Sequence, residues 1–329
     1  MHRRDFLKTA GGMALVQVSA SLHALTGPLA DTPISHNAGA EGDSPSSLKP
    51  MALGLLIKPA DGPEETISRV QQLGFSNCFF SLDAYIGQYS PALADRISSL
   101  LTQFSIVATA AEVVGPGRRV WDFENGPSTI GLVPRETRAS RIDALKQTSD
   151  FAKILGIPLI QTHCGFIPED PHDPLYDETV AAIQEVAKHC AGNGQSFLME
   201  TGQETPTTMS RVLENANQSN LGVGLDTANL ILYGKANPVD AVEILGPHIK
   251  SVHAKDGRWP TNPMKLGKEV VIGSGLVDFK AVFSKLSGLA YTGTITIERE
   301  THGPKQIEDV KQEKLYLEHI LADIQPKRT

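Results

Sequence analysis

Four ionisable side chains stand where short apolar runs of the sequence stop. Glu200 closes Ser196 to Met199, Asp226 closes Gly222 to Leu225, His253 follows Ile249 to Val252, and Glu298 closes Thr294 to Ile297. Three carboxylates and one imidazole are hard and borderline donors that suit a divalent ion. If the four converge, the bound ion would polarise a substrate oxygen as a Lewis acid. That convergence requires a fold that brings four strand ends to one place.

The rest of the chain has the rhythm of such a fold. Expected strands are Ala52–Ile57, Phe75–Leu82, Ser105–Val113, Pro158–Thr162, Gln195–Glu200, Gly222–Asp226, Ile249–Ala254 and Thr294–Glu298. Amphipathic stretches alternate with them: Pro63–Leu73, Pro91–Leu101, Arg135–Leu155, Asp177–Cys190, Thr207–Ala216, Val239–Leu245, Phe279–Leu286 and Lys305–Ile324. Eight strand–helix pairs in about 280 residues predict an α/β chain folded as a single-domain (β/α)8 TIM barrel. An open doubly wound sheet is disfavoured because no G-x-G-x-x-G follows the first strand. Chemistry in a TIM barrel sits at the C-terminal strand ends, which here carry Lys58, Asp83, Glu112, His163, Glu200, Asp226, His253 and Glu298. So many ionisable groups are costly to desolvate unless they pair or bind a cation.

Composition narrows the partners. The 329 residues are 40% hydrophobic, enough for a full core, and carry a formal charge of -7. Arg3, Arg4 and Lys8 against Asp5 give the first thirty residues a local +2, whose removal leaves about -9. That balance repels phosphate backbones and argues against nucleic-acid binding. Cys78, Cys164 and Cys190 are widely spaced without C-x-x-C, so buried free thiols are expected rather than a disulfide framework or a zinc finger.

Met1–Lys8, M-H-R-R-D-F-L-K, precedes a small, apolar stretch to Leu29 and resembles the R-R-x-F-L-K pattern of twin-arginine export signals. Residues 1–30 are therefore expected to be an export signal, 31–50 a flexible linker rich in Ser, Pro, Gly and Asn, and 51–329 the barrel. Such a signal implies a periplasmic protein, exported folded with its ion, with no stable membrane span after cleavage. It also points to an unphosphorylated substrate, because phosphorylated metabolites are mainly cytoplasmic.

Five motifs in order carry a resemblance: M-E-T-G-Q-E-T at Met199–Thr205, G-L-D-T-A-N-L at Gly224–Leu230, V-H-A-K-D-G at Val252–Gly257, I-G-S-G-L-V-D-F at Ile272–Phe279 and T-I-E-R-E at Thr296–Glu300. Together they resemble the xylose isomerase-like TIM-barrel superfamily, and within it the sugar phosphate isomerase/epimerase branch, over roughly residues 52–325. The resemblance implies that Glu200, Asp226, His253 and Glu298 bind one divalent ion, Mn2+ first, with Mg2+, Co2+ or Zn2+ as alternatives. It implies that Glu200 and Glu298 exchange protons with opposite faces of a carbohydrate next to its carbonyl. Glu300 rivals Glu298, since alternation puts both on one strand face.

His163, in T-H-C-G-F, reads as a substrate-binding or supporting histidine. Glu204 could bond a sugar hydroxyl or cap the helix near Thr205. Lys255, Asp256 and Arg258 could orient His253 or bind hydroxyls, and Glu112 joins them from the third strand end. Trp121 and Phe123 could cover a sugar or form a hydrophobic lid. Asn229 stands where many epimerases have histidine, and Ser274 where relatives often have glutamate; the Gly273–Gly275 stretch lies where many barrels hold phosphate.

The expected activity is a metal-dependent sugar isomerase or epimerase. The alternative is a lyase or dehydratase eliminating from an oxidised glycoside, which begins with the same proton abstraction. An abasic-site endonuclease or a non-catalytic carbohydrate-binding barrel are the readings from other classes. The expected partner is a small carbohydrate, and a homo-oligomer is compatible with the sequence.

Overall fold

Eight apolar runs form parallel strands, because each finds buried neighbours on both faces. In this computed structural model, residues 48–324 are described. The expected export signal and the linker up to residue 47 lie outside the described residues.

The strands are β1 (Leu53–Ile57), β2 (Asn77–Ser81), β3 (Val107–Glu112), β4 (Leu159–Thr162), β5 (Ser196–Glu200), β6 (Leu221–Asp226) and β7 (Ile249–Ala254). A hairpin, β8 (Asp256–Arg258) and β9 (Lys268–Val270), precedes β10 (Ile295–Ile297). The parallel strands close in the order β1, β10, β7, β6, β5, β4, β3, β2, a TIM barrel as expected. Strand alternation sorts their side chains. Phe197, Met199, Val223, Leu225, Val252, Ala254, Ile295 and Ile297 join the main hydrophobic core. Alternation therefore puts Glu200, Asp226, His253 and Glu298 on the opposite, inward phase.

Helices α1 (Pro63–Gln72), α2 (Pro91–Gln103), α3 (Gly126–Thr129), α4 (Arg135–Ile154) and α5 (Pro174–Gly192) follow in the first half. The second half has α6 (Pro206–Ala216), α7 (Thr227–Leu232), α8 (Pro238–Leu245), α9 (Phe279–Gly288) and α10 (Pro304–Ile324). Four of the longer ones start alike. Proline occupies the first turn of α2, α5, α6 and α8, where no N–H is needed, and Ser90, Asp173, Thr205 and Asn237 cap them with side-chain oxygens. Asp278 caps α9. Gly156, at φ +71°, provides the left-handed turn that ends α4.

Register fixes the site. Asp226 pairs directly with His253 across β6 and β7, and Thr296 of β10 pairs with His253 on its other side. Glu298 N donates to Ala254 O at 3.1 Å, which sets its height on the rim. Gly224, beside Glu200, leaves room for Gln161: a Cβ there would come within 2.0 Å of Gln161 Oε1.

Three elements were not expected: α3, α7 and the hairpin. The α7 residues T-A-N-L-I-L are all buried, so the segment shows no polar face to give it a helical period. The three free thiols are buried, as expected.

Candidate metal centre and active site

The four strand-end side chains meet. One ligand atom from each of Glu200, Asp226, His253 and Glu298 lies within 4.8 Å of all the others, and among the described residues this is the one such cluster. It is sequestered: Asp226 is fully buried, and Glu200 and His253 are 2% and 1% exposed.

Each ligand is held by its second atom or its neighbours. Asp226 Oδ1 accepts from Asn229 N at 2.7 Å, capping α7, which leaves Oδ2 unpartnered. Phe79 meets the His253 ring edge-on, with centroids 4.6 Å apart, and Gln161 Nε2 lies 3.4 Å from His253 Nε2. His253 Nδ1 then points towards Glu298 Oε2 at 2.9 Å and Glu200 Oε1 at 3.3 Å. Those approaches are short without hydrogen-bond alignment, so Glu200 Oε2, Asp226 Oδ2, His253 Nδ1 and Glu298 Oε2 are all buried without a hydrogen-bond partner. Orphaned buried acceptors of this kind are rare and costly. One from each of four converging residues is the donor set a divalent ion would satisfy, and the residues fit such an ion.

The electrostatics agree. Burial pushes the Asp226 carboxyl well above the usual range, and Lys255 only partly offsets this. Burial would raise Glu298 as well, but Lys255 and His253 hold it well below that range. Glu200 faces the same burial and is lowered by His163 and His253. Several negative groups thus share a space too small for uncompensated charge.

The supporting residues divide. Lys255 Nζ lies 3.2 Å from Glu298 Oε1, 2.7 Å from Glu300 Oε1 and 3.8 Å from Asp226 Oδ2. Glu300 is therefore Lys255's partner, while Glu298 supplies the atom in the cluster. His163 Nε2 is 3.3 Å from Glu200 Oε2, and its Nδ1 meets Gln203 Nε2 at 3.1 Å. Asn229, flagged by its position in the sequence, approaches Glu200 Oε1 at 3.4 Å. Glu112 ends β3, half-buried on the cavity wall.

Three expectations are corrected by where the side chains go. Asp256 does not reach for a substrate: its carboxylate accepts from the N–H groups of Gly257 (2.8 Å), Gly273 (2.9 Å), Gly275 (2.8 Å) and Val277 (3.1 Å). Arg258 is exposed, away from the cavity, and donates to Ser274 O at 3.1 Å. Glu204 caps nothing: Thr205 caps α6 with help from Glu169, while the Glu204 carboxyl lies buried with both oxygens unpartnered. Burial pushes it up to about 8.

A cavity of about 660 Å³ reaches the cluster at Glu298, beside Lys255, His163 and Asn229, and runs past Lys58, Asp83 and Glu112 into the groove between α1 (Thr66, Arg69, Leu73) and α10 (Gln306, Ile307, Val310). Trp121, 44% exposed, stands edge-on to His163 with centroids 4.9 Å apart. A small apolar group walls one side: Ala228, Leu232 and Tyr233 pack with Phe123, Phe166 and Leu266. Phe123 N also donates to Met264 O at 3.4 Å, joining the long loop after β3 to the hairpin tip. Gln161, Gln203 and Tyr233 were missed from the sequence. Gln161 sits two residues before His163 on the same strand phase, the one signal that could have found it.

Comparison with known proteins places this geometry in a family. Residues 67–320 match the family model described as xylose isomerase-like TIM barrel. A xylose isomerase domain protein from Planctomyces limnophilus is 31% identical, with TM-score 0.79 over 84% of this chain and 99% of that one. A D-psicose 3-epimerase solved in the presence of D-fructose shares the fold at 18% identity, with TM-score 0.63 over 82% of this chain and 99% of that one. An inosose dehydratase from Geobacillus thermodenitrificans is 29% identical over 190 residues, 48% of this chain and 62% of that protein. The matches span less than two thirds, 65% and 62%, of the length of the first curated relatives.

Proposed function

The chain belongs to the xylose isomerase-like TIM-barrel family, and from that premise we propose that it is a divalent-metal-dependent isomerase or epimerase of an unphosphorylated keto-sugar. The observation that carries this is that Glu200, Asp226, His253 and Glu298, at four strand ends, each bring a ligand atom within 4.8 Å of the others and each keep a buried polar atom without a hydrogen-bond partner. Glu200, Asp226, His253 and Glu298 would hold the ion, with Mn2+ the first choice for three carboxylates and one imidazole. When bound, the ion would polarise the sugar's carbonyl and adjacent hydroxyl oxygens and make the intervening C–H proton more acidic.

The chain's own groups do the rest. Glu200 and Glu298, on β5 and after β10, would take the proton from one face and return it from the other. Lys255 keeps Glu298 ionised and ready to accept. His163, backed by Gln203, sits where it can donate to Glu200 or to a sugar oxygen. Trp121 and the apolar wall limit water at the reacting carbon.

The absence of a phosphate is supported by the loop after β9. The Gly273 and Gly275 N–H groups are spent on Asp256, and Ser274 N and Oγ turn back to Val271 O at 3.0 and 2.6 Å. A carboxylate already fills the place an anion would need. Export to the periplasm remains part of the proposal on the sequence pattern of residues 1–30.

A dehydratase is the second reading, favoured by the similarity to inosose dehydratases. Incubation of the Mn2+-loaded protein with keto-sugars in D2O separates the two. Deuterium at one carbon with an intact product is expected, loss of water or an aglycone would move the assignment to elimination, and no exchange with any keto-sugar would overturn both. The endonuclease reading has no support at the ends of β2 and β3, which offer Ser81 and Glu112 rather than further histidines.

A further inference from the structure

The long loop between β3 and α4 brings Arg119 and Trp121 to the cavity, and Arg141 of α4 holds it from behind. Arg141 is fully buried, and all three of its guanidinium nitrogens are engaged. Nε donates to Pro116 O at 3.1 Å, Nη1 to Gly131 O at 2.7 Å, and Nη2 to Thr129 O at 2.7 Å and Arg118 O at 3.2 Å. Two of those carbonyls lie on the outgoing leg of the loop and two on the returning leg. We propose that Arg141 is a positioning residue of the active site, a clasp that joins the two legs and thereby sets Trp121 against His163.

Each leg also has its own anchor. Asp83, after β2, accepts from Val114 N at 3.1 Å and Gly115 N at 3.0 Å, and Leu132 N donates to Cys164 O, next to His163, at 2.8 Å. Val120 N crosses to Thr129 Oγ1 at 3.1 Å, one neutral bond beside the four charge-assisted ones from Arg141. Trp121 follows Val120, so the spacing of the legs decides where its indole lies, 4.9 Å from the His163 ring between centroids. Gly115, at φ +97°, makes room for the clasp, since a Cβ there would come within 2.7 Å of Arg141 Cγ.

The charge is kept at a cost. All four hydrogen bonds go to backbone carbonyls, whereas the deeply set Arg299 is neutralised by Glu269 and Asp309. Burial pushes the Arg141 guanidinium down to about 10. A methionine would fill the same place on α4 without that desolvation. What it would lose is the planar fork that reaches both legs at once, and a lysine, with its donors on one nitrogen, would lose the same span.

Arg141→Lys and Arg141→Met in the full chain loaded with Mn2+ test this. Trp259→Phe leaves Trp121 as the only tryptophan, and in that background both variants are expected to raise acrylamide quenching of the indole about twofold, well below the melting temperature. Arg141 makes no hydrogen bond to the four metal ligands, so Mn2+ content should stay at the parent level. Resting on the keto-sugar reading above, exchange of D-fructose in D2O should show KM raised at least fivefold, with most of the loss in kcat/KM sitting in KM. Trp121→Ala should abolish that difference, because the clasp acts through the indole. Unchanged quenching in both variants, an equal KM effect with and without Trp121, or failure of both variants to fold would overturn the clasp. The quenching needs no sugar: a parent chain that exchanges no D-fructose would count against the keto-sugar reading and leave the clasp to stand or fall on the indole.

Discussion

Glu200 and Glu298 are alike in type and unlike in setting, and that difference is what gives each a task. Glu298 sits against the Lys255 ammonium, while Glu200 is backed by His163 and Asn229. Glu200→Gln and Glu298→Gln should each cut deuterium exchange by at least about a hundredfold, the lower end of what a positioned acid or base contributes. Glu300→Gln, at a largely exposed carboxylate outside the cluster, should cost far less. Glu204 makes a different prediction. Burial pushes its carboxyl up to about 8 in the folded protein, so between the ordinary carboxylate range and that value the folded state holds a proton that the unfolded state has lost. Stability contributed there falls as pH rises from about 4.5 to 8. Glu204→Gln keeps the neutral shape and removes the titration. Its melting temperature should exceed that of the parent at pH 8 by an amount that vanishes near pH 5; a pH-independent difference would rule this out.

Among the elements, the hairpin and the loop behind it owe their shape to Asp256. Four backbone N–H groups converge on its carboxylate, and removing it leaves them without an acceptor. Unsatisfied buried donors cost about 1–3 kcal/mol each, less where water can replace the carboxylate. Asp256→Ala should therefore destabilise the fold by several kcal/mol in denaturant unfolding, whereas Arg258→Ala should change it by less than about 0.5 kcal/mol. The same residue shows how far sequence reading reaches. Short apolar runs alternating with amphipathic stretches, and ending in ionisable residues, point to the barrel and to the four residues at its rim, because strand ends are marked directly in the sequence. The role of Asp256 was misassigned because its partners lie up to 21 residues on, in a loop whose path no periodicity encodes. The short α7 was invisible for a related reason: a wholly buried helix has no polar face. Gln203, though inside a recognised motif, acts through His163, a contact that exists only after the β4 and β5 ends come together.

For the molecule as a whole, the cluster is a site of stored repulsion that a cation should convert into stability. Three carboxylates with orphaned oxygens converge at the rim. Arg299, next to Glu298, binds Glu269 of β9 at 2.6 Å and Asp309 of α10 at 3.0 Å, so the closing helix and the hairpin both brace that end of the site. A ligand that binds only the folded state stabilises it by RT ln(1 + [L]/Kd), about 2.7 kcal/mol at a hundredfold excess over Kd. Mn2+ added to chelator-treated protein should therefore raise the melting temperature by roughly 5 °C or more. The gain should shrink as pH falls, because protons compete for Asp226, whose carboxyl burial already makes easy to protonate. His253→Ala and Glu200→Gln should lose most of the gain and bind less metal by elemental analysis. A non-catalytic barrel makes the opposite forecast: equal metal content in parent and variants, and a melting temperature indifferent to chelator, would mean that the four strand ends meet without holding an ion.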